Sequence, residues 1–99
     1  ITLESHTNTV MQVDWSPKEG TFLASAGSDK KVFLWDLRDK KPDPFEEKTK
    51  KKYLFMHGGH VMPVSDVSWN PTSNNLIASV SEDNIIQVTR FTFIVGLYF

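Results

Sequence analysis

The sequence predicts an all-β fold built from two copies of one small antiparallel unit. Two observations predict it: the chain repeats itself at a fixed offset, and each copy divides into short apolar runs separated by turn residues.

The repeat comes first. A shift of 54 positions superposes His6 on His60, Val10 on Val64, Val13 on Val67 and Trp15 on Trp69. The same shift places Pro17 on Pro71, Ala24 on Ala78, Ser25 on Ser79 and Asp29 on Asp83, with no gap. The similar pairs Leu23/Ile77 and Val32/Ile86 keep the same register.

Each element of the first copy then has its own reason. Val10 to Trp15 alternates apolar and polar side chains, the period of a strand, and Ser16-Pro17 stops it. Phe22 to Ala26 is a short apolar run, as a strand covered on both faces requires. Gly27-Ser28-Asp29-Lys30 is a turn. Val32 to Trp35 is a third strand, ending at Asp36. In the second copy the corresponding strands are Val64 to Trp69, Leu76 to Val80 and Ile85 to Val88, and Lys52 to Met56 reads as an outer strand between the copies. Four short antiparallel strands per repeat describe one blade of a β-propeller.

The boundaries follow: 1–38 for the inner strands of one blade, 39–52 for a loop, 53–88 for a second blade with its preceding outer strand, and 89–99 for an atypical tail. The loop carries two prolines, six lysines and four acids, a net charge of +2. It lengthens the repeat beyond the roughly 40–45 residues of an ordinary blade, at a small entropic cost. The tail is strongly apolar after Arg90, is read as foreign to the blade, and is shorter than the roughly 20 residues of a membrane-spanning helix. The opening residues read as mid-strand, so the chain is expected to be part of a longer one.

Composition narrows the function. The 99 residues allow one domain at most, and 11 Lys+Arg against 12 Asp+Glu leave a net charge of −1. That balance offers no general attraction to nucleic acid or anionic membranes. No cysteine is present, so neither disulfides nor thiolate metal sites are available. His60, Asp83 and Ser79 have the residue types of a hydrolase triad. The same set recurs at the same spacing in both copies, as scaffold residues do and a nucleophile need not. His57 and His60 lack further ligands at fixed spacing, so no metal is predicted, and no cofactor or small-molecule substrate.

The first copy resembles a WD repeat: a His before the first strand, a Ser in the second, an Asp in the tight turn, and Trp35-Asp36 closing the third. The resemblance implies a hydrogen-bonded chain His6, Ser25, Asp29, Trp35, and in the second copy His60, Ser79, Asp83, with Thr89 standing where the Trp is expected. Leu54 to His60, Val64 to Pro71 and Ser79 to Val88 are similar to the final blade of the retinoblastoma-associated, histone-binding WD-repeat family, which includes the small subunit of chromatin assembly factor. The first copy is similar to that family's penultimate blade.

This resemblance implies two blades of a seven-bladed parent and a nuclear, non-enzymatic scaffold. Its partners would be histones and the subunits of assembly, deacetylase, remodelling or Polycomb-type complexes. It assigns histone binding to Glu82 and Asn84 on one end of the propeller, and to the loop residues Pro42, Asp43, Pro44, Phe45, Glu46 and Glu47. Thr9 and Met11 stand where the family carries an acidic and an aromatic residue. A second resemblance, in Trp35, Asp36 and Arg38, is to the segment with which some WD-repeat proteins dock to a cullin-type ubiquitin ligase adaptor.

Overall fold

The alternating run Val10–Trp15 forms strand β1, the apolar run Phe22–Gly27 forms β2, and Val32–Asp36 forms β3. Strand β4 spans Phe55–His57. The second copy supplies β5 (Val64–Trp69), β6 (Leu76–Ser81) and β7 (Ile86–Arg90). These come from a computed structural model that describes residues 2–18, 20–37, 53–73 and 75–91, together with the backbone of 93–94 and 97–98. The loop at 39–52 lies outside the described residues.

The strands form two antiparallel sheets, in the orders β1-β2-β3-β4 and β5-β6-β7. The repeat seen in sequence is reproduced in the ladders. Trp15 pairs with Leu23 and Trp69 with Ile77, and a bulge interrupts β1 between Val10 and Gln12 and β5 between Val64 and Asp66. A bulge shifts the side-chain alternation by one, which puts Val10, Val13 and Trp15 on one face, as it does Val64, Val67 and Trp69.

The tight turns match as well. Gly27 N–H donates to Lys31 O at 3.1 Å, and Ser81 N–H donates to Ile85 O at 3.1 Å. Each turn has one residue in the left-handed region, Lys30 (φ 72°) and Asn84 (φ 67°). Asparagine tolerates that conformation and lysine less so.

The outer strand begins at Phe55, with Tyr53 and Leu54 ahead of it outside the ladder, though Leu54 N–H already donates to Leu34 O at 2.7 Å; Lys52 lies outside the described residues. At the other end β7 continues to Arg90, because Thr89 pairs with Ile77 and Arg90 with Leu76. Phe91 follows and is buried. Its N–H donates to Asn75 O, just as Leu37 N–H donates to Thr21 O one repeat earlier. The blade pattern thus runs three residues past Val88. Beyond it, Phe93–Ile94 (β8) and Leu97–Tyr98 (β9) pair with each other in a separate two-stranded ladder and add no outer strand to the second sheet.

The core lies between the two sheets. Phe22, Ala24, Ala26, Val32 and Leu34 on one face of the first sheet meet Val64, Val67, Trp69, Ile77 and Phe91 of the second. The alanines let the second sheet approach closely. The opposite face of the first sheet carries a smaller cluster of Leu23, Phe33 and Trp35, covered by Leu3 and Leu37. The rings of His6 and Tyr53 pack on Phe33, with centroids 4.7 and 4.8 Å away. The molecule is two adjacent blades of a propeller.

Candidate functional site

In the first blade the four polar residues expected to act together are in contact. Trp35 Nε1–H donates to Ser25 Oγ at 2.9 Å, and the Ser25 hydroxyl donates to His6 Nε2 at 2.7 Å. His6 Nδ1–H donates to the Asp29 carboxylate, 3.0 Å from Oδ2. Thr7 N–H donates to the same oxygen at 3.0 Å. Each proton points the same way along the chain, so one neutral tautomer of His6 satisfies every member. Burial pushes the Asp29 carboxyl up, but the hydrogen bonds from His6 and the Thr7 amide outweigh it and hold it below the ordinary carboxylate range.

The second blade keeps only the middle of this chain. The Ser79 hydroxyl donates to His60 Nε2 at 2.7 Å, and both residues are buried. Thr89 offers no indole. Asp83 does not reach His60: its carboxylate accepts from the Ser81 hydroxyl and from the Ile85 N–H. Nδ1 of His60 is buried and has no hydrogen-bond partner among the described residues.

The reason is one atom. Position 81 is the repeat equivalent of Gly27. A Cβ built on Gly27 would lie 2.6 Å from both Asp29 Oδ1 and His6 Nδ1, in the middle of their hydrogen bond. Ser81 has that Cβ, and its hydroxyl offers Asp83 a nearer partner. The glycine is needed for space, and the offset alignment Gly27/Ser81 is the signal in the sequence that carries this difference. With Ser79 buried and Asp83 turned to Ser81, the three residues are not assembled as a triad.

His57, beside His60 with ring centroids 5.6 Å apart, is also committed: its Nε2–H donates to Gln87 Oε1 at 2.6 Å, and Gln87 Nε2–H donates to Gly59 O. Gln87 was not singled out by its sequence position. Burial first, and the neighbouring His57 second, hold the His60 imidazole below its ordinary value, against the pull of Asp83. A histidine lowered in this way binds fewer protons folded than unfolded. Its contribution to stability is complete above the ordinary value of about 6.5 and is lost as pH falls from there through the folded value. The urea midpoint is therefore expected to drop on acidification from pH 7 to 5, with a shallower drop in His60→Gln. An identical slope in the two proteins would remove His60 as the cause. Asp29 titrates in a separate, lower window, where its stabilisation disappears as the carboxylate protonates.

The exposed part of the site is the end of the blades where these turns emerge. Glu82 is exposed in the turn between β6 and β7, and its N–H donates to Pro63 O at 3.1 Å, so the turn is fastened to the segment leading into β5. Val61 and Met62, in that same segment, are exposed. Asn84 is also exposed, and its left-handed backbone already accounts for its residue type. The first blade presents Ser28 and Lys30 at the positions of Glu82 and Asn84, so free acidity at this end belongs to the second blade. Asp36 is buried. Arg38 and the loop residues Pro42, Asp43, Pro44, Phe45, Glu46 and Glu47 lie outside the described residues.

Comparison with known proteins adds to this geometry. The profile described as "WD domain, G-beta repeat" matches residues 1–36 and 51–89. The unmatched interval falls on the charged loop, and the second match includes Thr89. The chain is 30% identical over 91 residues to "Histone acetyltransferase type B subunit 2" of Candida glabrata, covering 89% of this chain and 22% of that protein. The protein of the same name from Debaryomyces hansenii is 31% identical over 90 residues, with 88% and 22% covered. "Histone-binding protein MSI1" of Saccharomyces cerevisiae is 34% identical over 86 residues, with 86% and 18% covered. The chain spans about a fifth of the length of the curated relatives it matches.

Proposed function

The chain belongs to the WD-domain, G-beta repeat family, and from that premise we propose that it is a non-enzymatic, histone-binding scaffold segment of nuclear chromatin complexes. The observation that carries this reading is the similarity of nearly the whole chain, both blades included, to relatives whose names state histone binding or a histone acetyltransferase subunit. Complexes of the chromatin assembly, deacetylase, remodelling or Polycomb type are its proposed setting.

The contact surface proposed is the end carrying Glu82. A carboxylate fixed on a tight turn is suited to a lysine or arginine of a basic histone tail, because the acceptor is presented without a long flexible stem. Asn84 flanks it, and exposed Val61 and Met62 offer apolar cover to the stems of those side chains. The loop residues Pro42, Asp43, Pro44, Phe45, Glu46 and Glu47 form the second proposed contact. The ligase-adaptor reading needs Asp36 and Arg38 at the surface. Asp36 is buried, and no described residue favours that reading.

Glu82→Lys tests the proposal against histone-tail peptides. An exposed ion pair is worth about 1 kcal/mol or less, so the reversal is expected to weaken binding about three- to tenfold at low salt, with the gap closing as salt rises. Binding indifferent to the reversal would dismiss this end of the blade as the contact. Failure of every histone peptide to bind would dismiss the function.

A further inference from the structure

One buried group of the second blade is left unsatisfied, and the first blade shows the arrangement that satisfies it. His60 is 4% exposed, and its Nδ1 has no hydrogen-bond partner among the described residues. In the first blade the same nitrogen donates to Asp29, whose Oδ2 also accepts from Thr7 N–H at 3.0 Å. The backbones of the two turns otherwise agree. Lys30 N–H donates to Gly27 O at 3.2 Å, and Asn84 N–H donates to Ser81 O at 3.0 Å. Ser28 N–H donates to Thr9 O and Glu82 N–H to Pro63 O, so each turn is tied to the segment entering its blade. Asp83 differs from Asp29 in being held by the Ser81 hydroxyl.

Two titratable groups act on His60 from the elements packed around it. His57 on β4 opposes its protonation, and Asp83 on the turn favours it. Strands β6 and β7 present the uncharged Ser79 and Gln87. Asp66 on β5 is exposed, with its carboxylate on Val67 N–H, and Glu82 is exposed as well. The facing side chains of the first blade are the apolar Ala24, Ala26, Val32 and Leu34.

An added proton goes to Nε2, and Ser79 turns its hydroxyl to accept from it. No indole competes for that oxygen, because Thr89 stands where the first blade has Trp35. A buried imidazolium without a counter-charge is costly. Asp83 is still ionised when His60 protonates, because the Ser81 hydroxyl holds its carboxyl below the ordinary carboxylate range.

We propose that protonation of His60 moves the Asp83 carboxylate from the Ser81 hydroxyl to His60 Nδ1–H and Val61 N–H, giving the second blade the arrangement of the first. The Ser81 Cβ occupies the line between the two side chains, as one built on Gly27 does, so the turn carrying Glu82 shifts to let the bond form. The switch is a property of the blade, whatever Glu82 contacts.

NMR on the full chain, from pH 7 downward through the His60 midpoint, tests this. The Val61 amide proton is expected to move downfield with the same midpoint as the His60 imidazole, and the amides of Glu82 to Ile85 to move with it. In His60→Gln the step at Val61 is lost. In Ser81→Gly the Val61 amide is expected at the downfield position already at pH 7, because nothing then stands between Asp83 and His60. A His60 imidazole that titrates while the Val61 amide stays in place overturns the proposal, as does unfolding of the chain before His60 takes up its proton. So does a Val61 step that persists in His60→Gln, or a Ser81→Gly chain whose Val61 amide keeps its unaltered position.

Discussion

Replacing Gly27 with serine is expected to destabilise the first blade by about 2–3 kcal/mol, the order of a lost buried hydrogen bond to a charged group. The added Cβ falls 2.6 Å from both atoms of the His6–Asp29 hydrogen bond, so that bond cannot persist in its present form. The two side chains are only 7% and 3% exposed, so water does not replace what is lost. The Asp29 carboxylate keeps Thr7 N–H as a partner, and His6 is left as His60 is in the second blade. The urea midpoint at fixed protein concentration measures the loss. Gly27→Ala separates the two causes. If steric exclusion dominates, alanine and serine are about equally harmful; if capture of Asp29 by the new hydroxyl dominates, alanine is the milder change. A loss below about 0.5 kcal/mol in both, the scale of an ordinary surface substitution, would refute the account. The reciprocal change, Ser81→Gly, frees Asp83 to reach His60 Nδ1, and the His60 imidazole is then expected to titrate at a higher pH by NMR. Its effect on stability is smaller, because a glycine within a strand gives back about 0.5–1 kcal/mol of the gain.

The contrast between the blades shows what a sequence of this kind reveals unaided. Strand positions were legible because apolar alternation and the 54-residue offset report the same register twice. The contact among His6, Ser25, Asp29 and Trp35 was anticipated by residue type at fixed spacing within a recognised repeat. The position of Asp83 was not, because it depends on whether one neighbouring residue has a Cβ, a difference of one atom that periodicity does not register. Strand ends were also misplaced. The outer strand starts at Phe55, after Tyr53 and Leu54, and β7 continues through the polar pair Thr89-Arg90, since ladder pairing at a sheet edge does not require apolar side chains. Asn84 is ambiguous for a different reason: a left-handed turn and a contact surface both favour asparagine there, and only the first leaves a trace in the backbone.

Trp69→Ala is expected to cost 3–5 kcal/mol, a large share of the 5–15 kcal/mol that stabilises a typical domain. The side chain is a main contact between the two blades. Its indole N–H donates to Asp14 O, its backbone N–H donates to Asp14 Oδ2 at 3.0 Å, and its ring meets Phe91 edge-on at 5.9 Å between centroids. Truncation opens a cavity between sheets that meet only through side chains and a few hydrogen bonds, and it leaves the Asp14 carbonyl without its indole donor. Trp69→Phe retains much of the apolar area and removes only that donor, so its cost is expected near 1–2 kcal/mol. Trp15 is the internal control, the same residue at the same place in the repeat but half exposed. Trp15→Ala is expected to shift the urea midpoint by no more than an ordinary surface change, about 0.5 kcal/mol. Fluorescence separates the two tryptophans independently: loss of Trp69 removes blue-shifted emission, and loss of Trp15 removes emission at the solvent-exposed wavelength. Equal destabilisation at the two positions would mean that burial between the blades is not what stabilises the pair.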